Sequence, residues 1–137
     1  MALFSLCLLI FGCTKNSPDL DQLTIEEEAV LIDEEVGPAE ADAADRCDMI
    51  PIGVKPAGGP WGYLVFSTEH TDREKLEELV ARYNELDAER NEESGRFSTA
   101  DAATKPNLIL RTGSCYGDGR YAWNPGDILK VNDIETD

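Results

Sequence analysis

The sequence predicts an α+β fold: a small antiparallel sheet packed by one amphipathic helix and closed by a disulfide. Three features of the 137 residues carry that reading: short β-branched and aromatic runs set between Gly/Pro turns, one long capped helical pattern, and cysteines on either side of both. A chain of this length makes one domain.

The folded unit is expected to span residues 47–137. "MIPIGVKP" is apolar and β-branched, and Pro51 and Pro56, which cannot donate to a ladder, confine it to an edge strand or an extended arm. Gly58, Gly59 and Pro60 make a turn, and "WGYLVFS" from Trp61 to Ser67 has the bulk of a strand. Those glycines are not a phosphate loop, since no Lys-Ser/Thr follows and no helix starts there. "TDREKLEELVARYNELDAERNEESG" is the helix. Thr71 caps it, Glu74 completes a capping box, and Leu76, Leu79, Val80, Tyr83 and Leu86 draw one apolar stripe towards a stop at Gly95. After a polar loop, "NLILR" from Asn107 to Arg111 is a short strand, and "GDG" between Tyr116 and Arg120 reads as a hairpin turn. "NPGDILKVND" then adds a Pro-Gly turn and a last strand from Ile128 to Val131.

The formal charge of −16 is unevenly placed. Residues 14–45 hold eleven acids and only Lys15 as a base, a net −10, whereas residues 46–137 hold seventeen acids and eleven bases, a net −6. Neither part has the clustered Lys/Arg that neutralises phosphates, so nucleic acid is excluded as a partner. The same charge repels anionic headgroups, so a membrane partner requires a covalent or apolar anchor. The acidic tract, without aromatic residues and with Pro18 and Pro38, reads as a disordered, self-repelling tether over 13–46. Within it "TIEEEAVLIDEEV" has the makings of a transient helix, with Thr24 and Glu27 as a capping box.

From Ala2 to Gly12 there is no charged residue, and "LFSLCLLIFG" is an apolar run too short to span a bilayer but of the length of a secretory signal. Its end, Ile10, Gly12 and Cys13, resembles the bacterial lipobox, which implies cleavage after residue 12 and lipidation of Cys13. Phe11 stands where that motif usually has a small residue, and no Lys or Arg precedes the run. An ordinary signal cut nearby, or a buried apolar element, are the alternatives. On the lipoprotein reading Cys7 leaves with the signal and Cys13 takes the acyl chains, and Cys47 and Cys115 remain as an even pair in an oxidising compartment. The alternative is two free thiols in a cytoplasmic protein.

Cys47, "PIGVKPAGGPWGYLVFSTEHTD", "YNELDAERN" and the later "GSC" resemble a family of small uncharacterised bacterial secreted proteins and lipoproteins. The likeness covers about seventy residues. It implies an extracytoplasmic location and a second cysteine pair where this chain has Ala57 and Ala100, and it implies no activity for any residue.

No catalytic constellation is legible. His70 is the single histidine, no serine lies in a nucleophile elbow, and neither a metal nor another cofactor is expected from so few ligand-type residues. Trp61, Tyr63, Tyr116, Arg120 and Trp123 form a candidate interaction patch, because Trp, Tyr and Arg dominate interface hot spots; the alternative is that the aromatics fill the core. The expectation is a lipid-anchored cell-envelope protein, on the outer membrane or periplasmic face in a Gram-negative host, acting as a non-catalytic module for an envelope protein partner. The alternative is a small extracytoplasmic hydrolase or ligand-binding protein using His70 and nearby acids.

Overall fold

The computed structural model describes residues 22–135. In chain order its elements are α1 (Ile25–Val36), a 3-10 turn (Ala44–Arg46), β1 (Cys47–Ile52), β2 (Gly62–Ser67), α2 (Arg73–Ser94), β3 (Asn107–Arg111), β4 (Ser114–Asp118), β5 (Ala122–Trp123) and α3 (Asp127–Val131). The class is α+β, as the sequence predicts, but the strands divide into two sheets. One has the order β1-β2-β5, antiparallel between β1 and β2 and parallel between β2 and β5; the other is the antiparallel hairpin β3-β4.

β2 is the hub. Leu64, Val65, Phe66 and Ser67 are all buried, so both of its faces are covered. Leu64 pairs with Trp123 of β5, and that indole meets Tyr83 of α2 edge to face at 6.5 Å, which turns this face towards the helices. Val65 points the other way, towards β4. A Cβ on Gly117 would come within 2.9 Å of the Val65 side chain and 2.8 Å of Ala122, so the hairpin packs this closely only because residue 117 is glycine. The Cys47–Cys115 disulfide, Cα to Cα 5.5 Å, ties β1 of one sheet to β4 of the other.

β1 is an edge strand, as its prolines require. The Met49 N–H is taken by the Asp48 carboxylate at 2.8 Å, and Pro51 has no N–H to offer, which blunts the edge against strand addition.

Four expectations are corrected. The tract 25–46 is not tether: α1 lies in the core, with Ile25, Ala29, Ile32 and Val36 buried at i, i+4, i+7 and i+11. Glu26, Glu27 and Glu34 are exposed, Glu28 is fully buried beside Arg82, and Thr24 accepts from the Glu27 N–H at 3.2 Å as an N-cap. A second helix therefore joins the expected one. The cap of α2 is Asp72 rather than Thr71, which is buried and donates instead to the Glu35 carbonyl of α1. The last strand is a helix, α3, because Ile128 and Leu129 are adjacent buried residues, an arrangement that a strand with one covered face cannot give. The hairpin turn sits at Thr112-Gly113, not at "GDG", whose first glycine and aspartate finish β4. Gly95, in the left-handed region at φ 62°, ends α2 as expected.

Candidate functional site

The two cysteines predicted to pair do so, and Cys13 lies outside the described residues. The five residues of the candidate patch do not assemble. Trp123 is a core residue. Tyr63 lines an open groove of about 460 Å³ along β1 and α2, where Arg73 is held by Asp48 and Glu77. Arg120 is exposed and lies 5.4 Å from the Tyr121 ring. Trp61 and Tyr116 belong to two different constellations.

Trp61 belongs to a polar node under the 53–61 loop. Asn84, Asp87 and Asn91 share one face of α2 and grip that loop: Asn84 accepts from the Gly53 N–H at 2.7 Å, and Asn91 donates to the Val54 carbonyl at 2.6 Å. Asp87, fully buried, accepts from the Val54 N–H at 2.9 Å and Trp61 Nε1 at 3.1 Å on one oxygen. Its other oxygen takes Arg90 at 2.7 Å and Arg96 at 3.2 Å. Burial works against the Arg90 charge, but the hydrogen bond and charge of Asp87 outweigh it and hold the guanidinium above its ordinary pKa. Lys55, also buried, donates to the Asp101 carbonyl at 2.5 Å and sits 5.9 Å from the Trp61 ring. Asn84, Asp87, Asn91 and Lys55 hold backbone or indole, and Arg90 and Arg96 neutralise Asp87, so the node is scaffold.

His70 is exposed on a shallow cavity that also contains Glu40, Asp42, Glu69 and Thr112. The acids near it are thus real, but Glu69 is engaged by the Asp42 N–H at 3.2 Å and by Arg46 at 3.9 Å. Among the described residues no side-chain hydrogen bond orients the imidazole.

The remaining constellation is a shallow, open cavity of about 600 Å³ beside the β3-β4 hairpin, lined in part by Pro38, Arg111, Ser114, Tyr116, Pro125 and Lys130. The hairpin register pairs Arg111 with Ser114 and Ile109 with Tyr116, which sets Arg111 and Tyr116 diagonally on the solvent face. The guanidinium carbon stands 3.7 Å from the centroid of the Tyr116 ring, a close cation–π stack. In a chain with 28 acids, no carboxylate lies within ion-pairing distance of Arg111 among the described residues.

This cavity has a stiff frame. Cys115 anchors its floor through the disulfide, and the Asn124 side chain clamps Gly117 from both ends, accepting its N–H at 2.7 Å and donating to its carbonyl at 3.1 Å. Segment 39–41 closes the outer edge of β4: the Cys115 N–H donates to the Ala39 carbonyl at 2.7 Å and the Ala41 N–H to the Gly113 carbonyl at 3.0 Å. Two of the three non-glycine residues with positive φ among those described, Ala39 and Thr112, both at 54°, adjoin the cavity. For β-branched Thr112 that conformation is costly, and such strain collects at functional sites.

Comparison with family models, with curated proteins and with solved structures returned no match. The chemistry of the cavity is therefore read from its own groups: in-plane guanidinium donors, a lysine at the rim, hydroxyls at Thr112 and Ser114, and proline and tyrosine walls. That set binds and orients. Sequence reasoning found Tyr116 and missed Arg111, because with the turn placed at "GDG" the two residues share no face. A Thr-Gly turn in "RTGSCY" is the signal that joins them.

Proposed function

We propose that this chain is a lipid-anchored cell-envelope protein, a non-catalytic interaction module that recognises its partner through the Arg111–Tyr116 cavity. The observation that carries the proposal is Arg111 itself, stacked on tyrosine and, among the described residues, without a carboxylate partner. An arginine kept unpaired and pre-oriented loses little side-chain entropy when it meets a ligand, and Arg and Tyr are the usual anchors of interfaces. The Cys47–Cys115 disulfide supports an oxidising location, and the apolar run ending at Cys13 supports the anchor. The family likeness is supported at one further point. The loops that carry Ala57 and Ala100 are in contact, joined by the Ala57 N–H to Ser98 Oγ bond at 3.0 Å.

The test is photo-crosslinking in the native cells from a reactive residue placed at Ser114, with the mature chain weighed before and after reduction. The reading expects a start at Cys13 bearing acyl mass, a gain of two hydrogens on reduction, and a crosslinked envelope protein. An unacylated full-length chain, or no adduct at Ser114 beyond that seen at the exposed helix position Glu85, would end it.

A further inference from the structure

We infer that the Arg111–Tyr116 cavity is a carboxylate site, taking the carboxylate of a short peptide on Arg111 with the peptide's apolar part against Tyr116, Pro38 and Pro125; this rests on the binding role proposed above. The donor geometry points there first. Stacking on Tyr116 covers one face of the guanidinium and leaves its N–H groups in plane, the arrangement that a carboxylate meets with two parallel hydrogen bonds.

The remaining charges around the cavity agree. Lys130 is exposed at the rim, and Asp127, the acid among the lining residues, is already engaged: one oxygen accepts the Asn124 N–H at 2.8 Å and the other faces Lys130 at 3.6 Å. The lining is thus electropositive, Arg111 and Lys130 against Asp127, within a chain of net charge −16. The field of that chain opposes any anion, so the choice of a carboxylate over a phosphate rests on the apolar contacts beside Arg111. The proline and tyrosine walls supply apolar contact, which a bare inorganic ion would not use. The open shape leaves room for a peptide to continue beyond the residue that meets Arg111.

The experiment uses the full ¹⁵N-labelled chain and follows the Arg111 side-chain Nε–H and the amides of Ser114 and Tyr116 by NMR during titration with four probes. They are N-acetyl-Ala-Ala with a free carboxylate, the same peptide as its amide, N-acetyl-Asp-Ala-amide, and inorganic phosphate. The expected result is saturable shifts with at least one carboxylate peptide, at least tenfold weaker with the neutral amide and with phosphate, and at least tenfold weaker in Arg111→Gln. The two carboxylate peptides separate a chain terminus from an acidic side chain as the source.

Arg111 is exposed, so Arg111→Gln should keep an unfolding midpoint close to wild type, which separates lost binding from lost folding. Equal binding of the neutral amide, or tighter binding of phosphate, would overturn the carboxylate assignment while leaving a binding cavity. Silence to every probe overturns it too. If the Ser114 crosslink nevertheless forms in cells, the binding role stands; if that is also absent, both fall.

Discussion

Asp87→Asn is the sharpest test of the node beneath the 53–61 loop. The carboxylate accepts four hydrogen bonds, from the Val54 N–H, the Trp61 indole, Arg90 and Arg96. An asparagine keeps the shape but turns one acceptor into a donor. Its cheapest orientation leaves the oxygen on Val54 and Trp61 and points the amide N–H₂ at the two arginines, whose side chains are 30 % and 34 % exposed and can recover water. The loss is then two charge-assisted bonds, each about 1.5–3 kcal/mol, offset in part by rehydration, or about 2–3 kcal/mol in all. Asp87→Leu orphans the Val54 and Trp61 donors as well, adding about 1–3 kcal/mol for each buried group, so it should cost about twice as much. For a domain of this size, about 4 °C of melting temperature per kcal/mol puts the asparagine variant about 10 °C below wild type. Urea unfolding followed by tryptophan fluorescence reads this directly, since Trp61 is one of two tryptophans and touches Asp87. A loss below about 0.5 kcal/mol for Asp87→Asn, the size of an ordinary surface change, or a leucine variant no worse than the asparagine one, would refute the count of donors.

Four other expectations follow from single contacts. Replacing Cys47 and Cys115 together by serine should lower stability by about 4 kcal/mol through the loop of 68 residues it reopens, read as the urea midpoint against the oxidised parent. Gly62→Ala would bring a Cβ to 2.5 Å from Trp123 Nε1 and 2.7 Å from the Tyr121 carbonyl, so a loss of about 1–3 kcal/mol is expected; an unchanged melting temperature would contradict the packing. Burial pushes the Glu28 carboxyl above its usual range against the pull of Arg82, so its folded-state pKa exceeds the unfolded one. The stability it contributes is then complete below the unfolded pKa and lost as pH rises through the folded value, and Glu28→Gln should gain on wild type as pH rises above the ordinary glutamate range, read in paired urea melts. Thr112→Asn should raise stability by about 0.5–1 kcal/mol, because asparagine suits the positive φ at the first centre of this two-residue turn.

What the sequence made legible was local periodicity backed by a cap or a proline. The α2 stripe, the edge character imposed on β1 by Pro51 and the stop at Gly95 all have causes within one stretch of chain. The misreadings arose where composition was allowed to outrank spacing. In α1 the acids dominate the count, yet Ile25, Ala29, Ile32 and Val36 hold a helical stripe through them, and the run was legible by the rule that found α2. In α3 four residues rich in bulk, Ile128 to Val131, looked like a strand because a run so short has no period to decide it. The candidate site was half legible. Tyr116 announces itself by type, whereas Arg111 gains meaning only from a register set by which glycine makes the turn. The Asp87 node was not legible at all, since its backbone and indole donors come from the 53–61 loop, far from α2 in sequence, and an aspartate in an acidic helix reads as surface.

Moving the start of the folded unit from residue 47 to residue 25 changes what an anchor at Cys13 would mean. A tether running to residue 46 would let the domain range more than about 100 Å from a bilayer, at about 3.5 Å per extended residue. With α1 in the core, eleven residues lie between Cys13 and Ile25, and the same arithmetic limits the reach to about 40 Å. That is little more than the diameter of a small domain. An anchored molecule of this build samples partners at the membrane face and not across a wide compartment, and its acidic surface holds it off the headgroups while it does so. On the proposed reading, Arg111 would then have a selective setting: the molecule as a whole repels anionic lipid, and a carboxylate would reach Arg111 only on a ligand whose apolar contacts with Tyr116, Pro38 and Pro125 offset that repulsion.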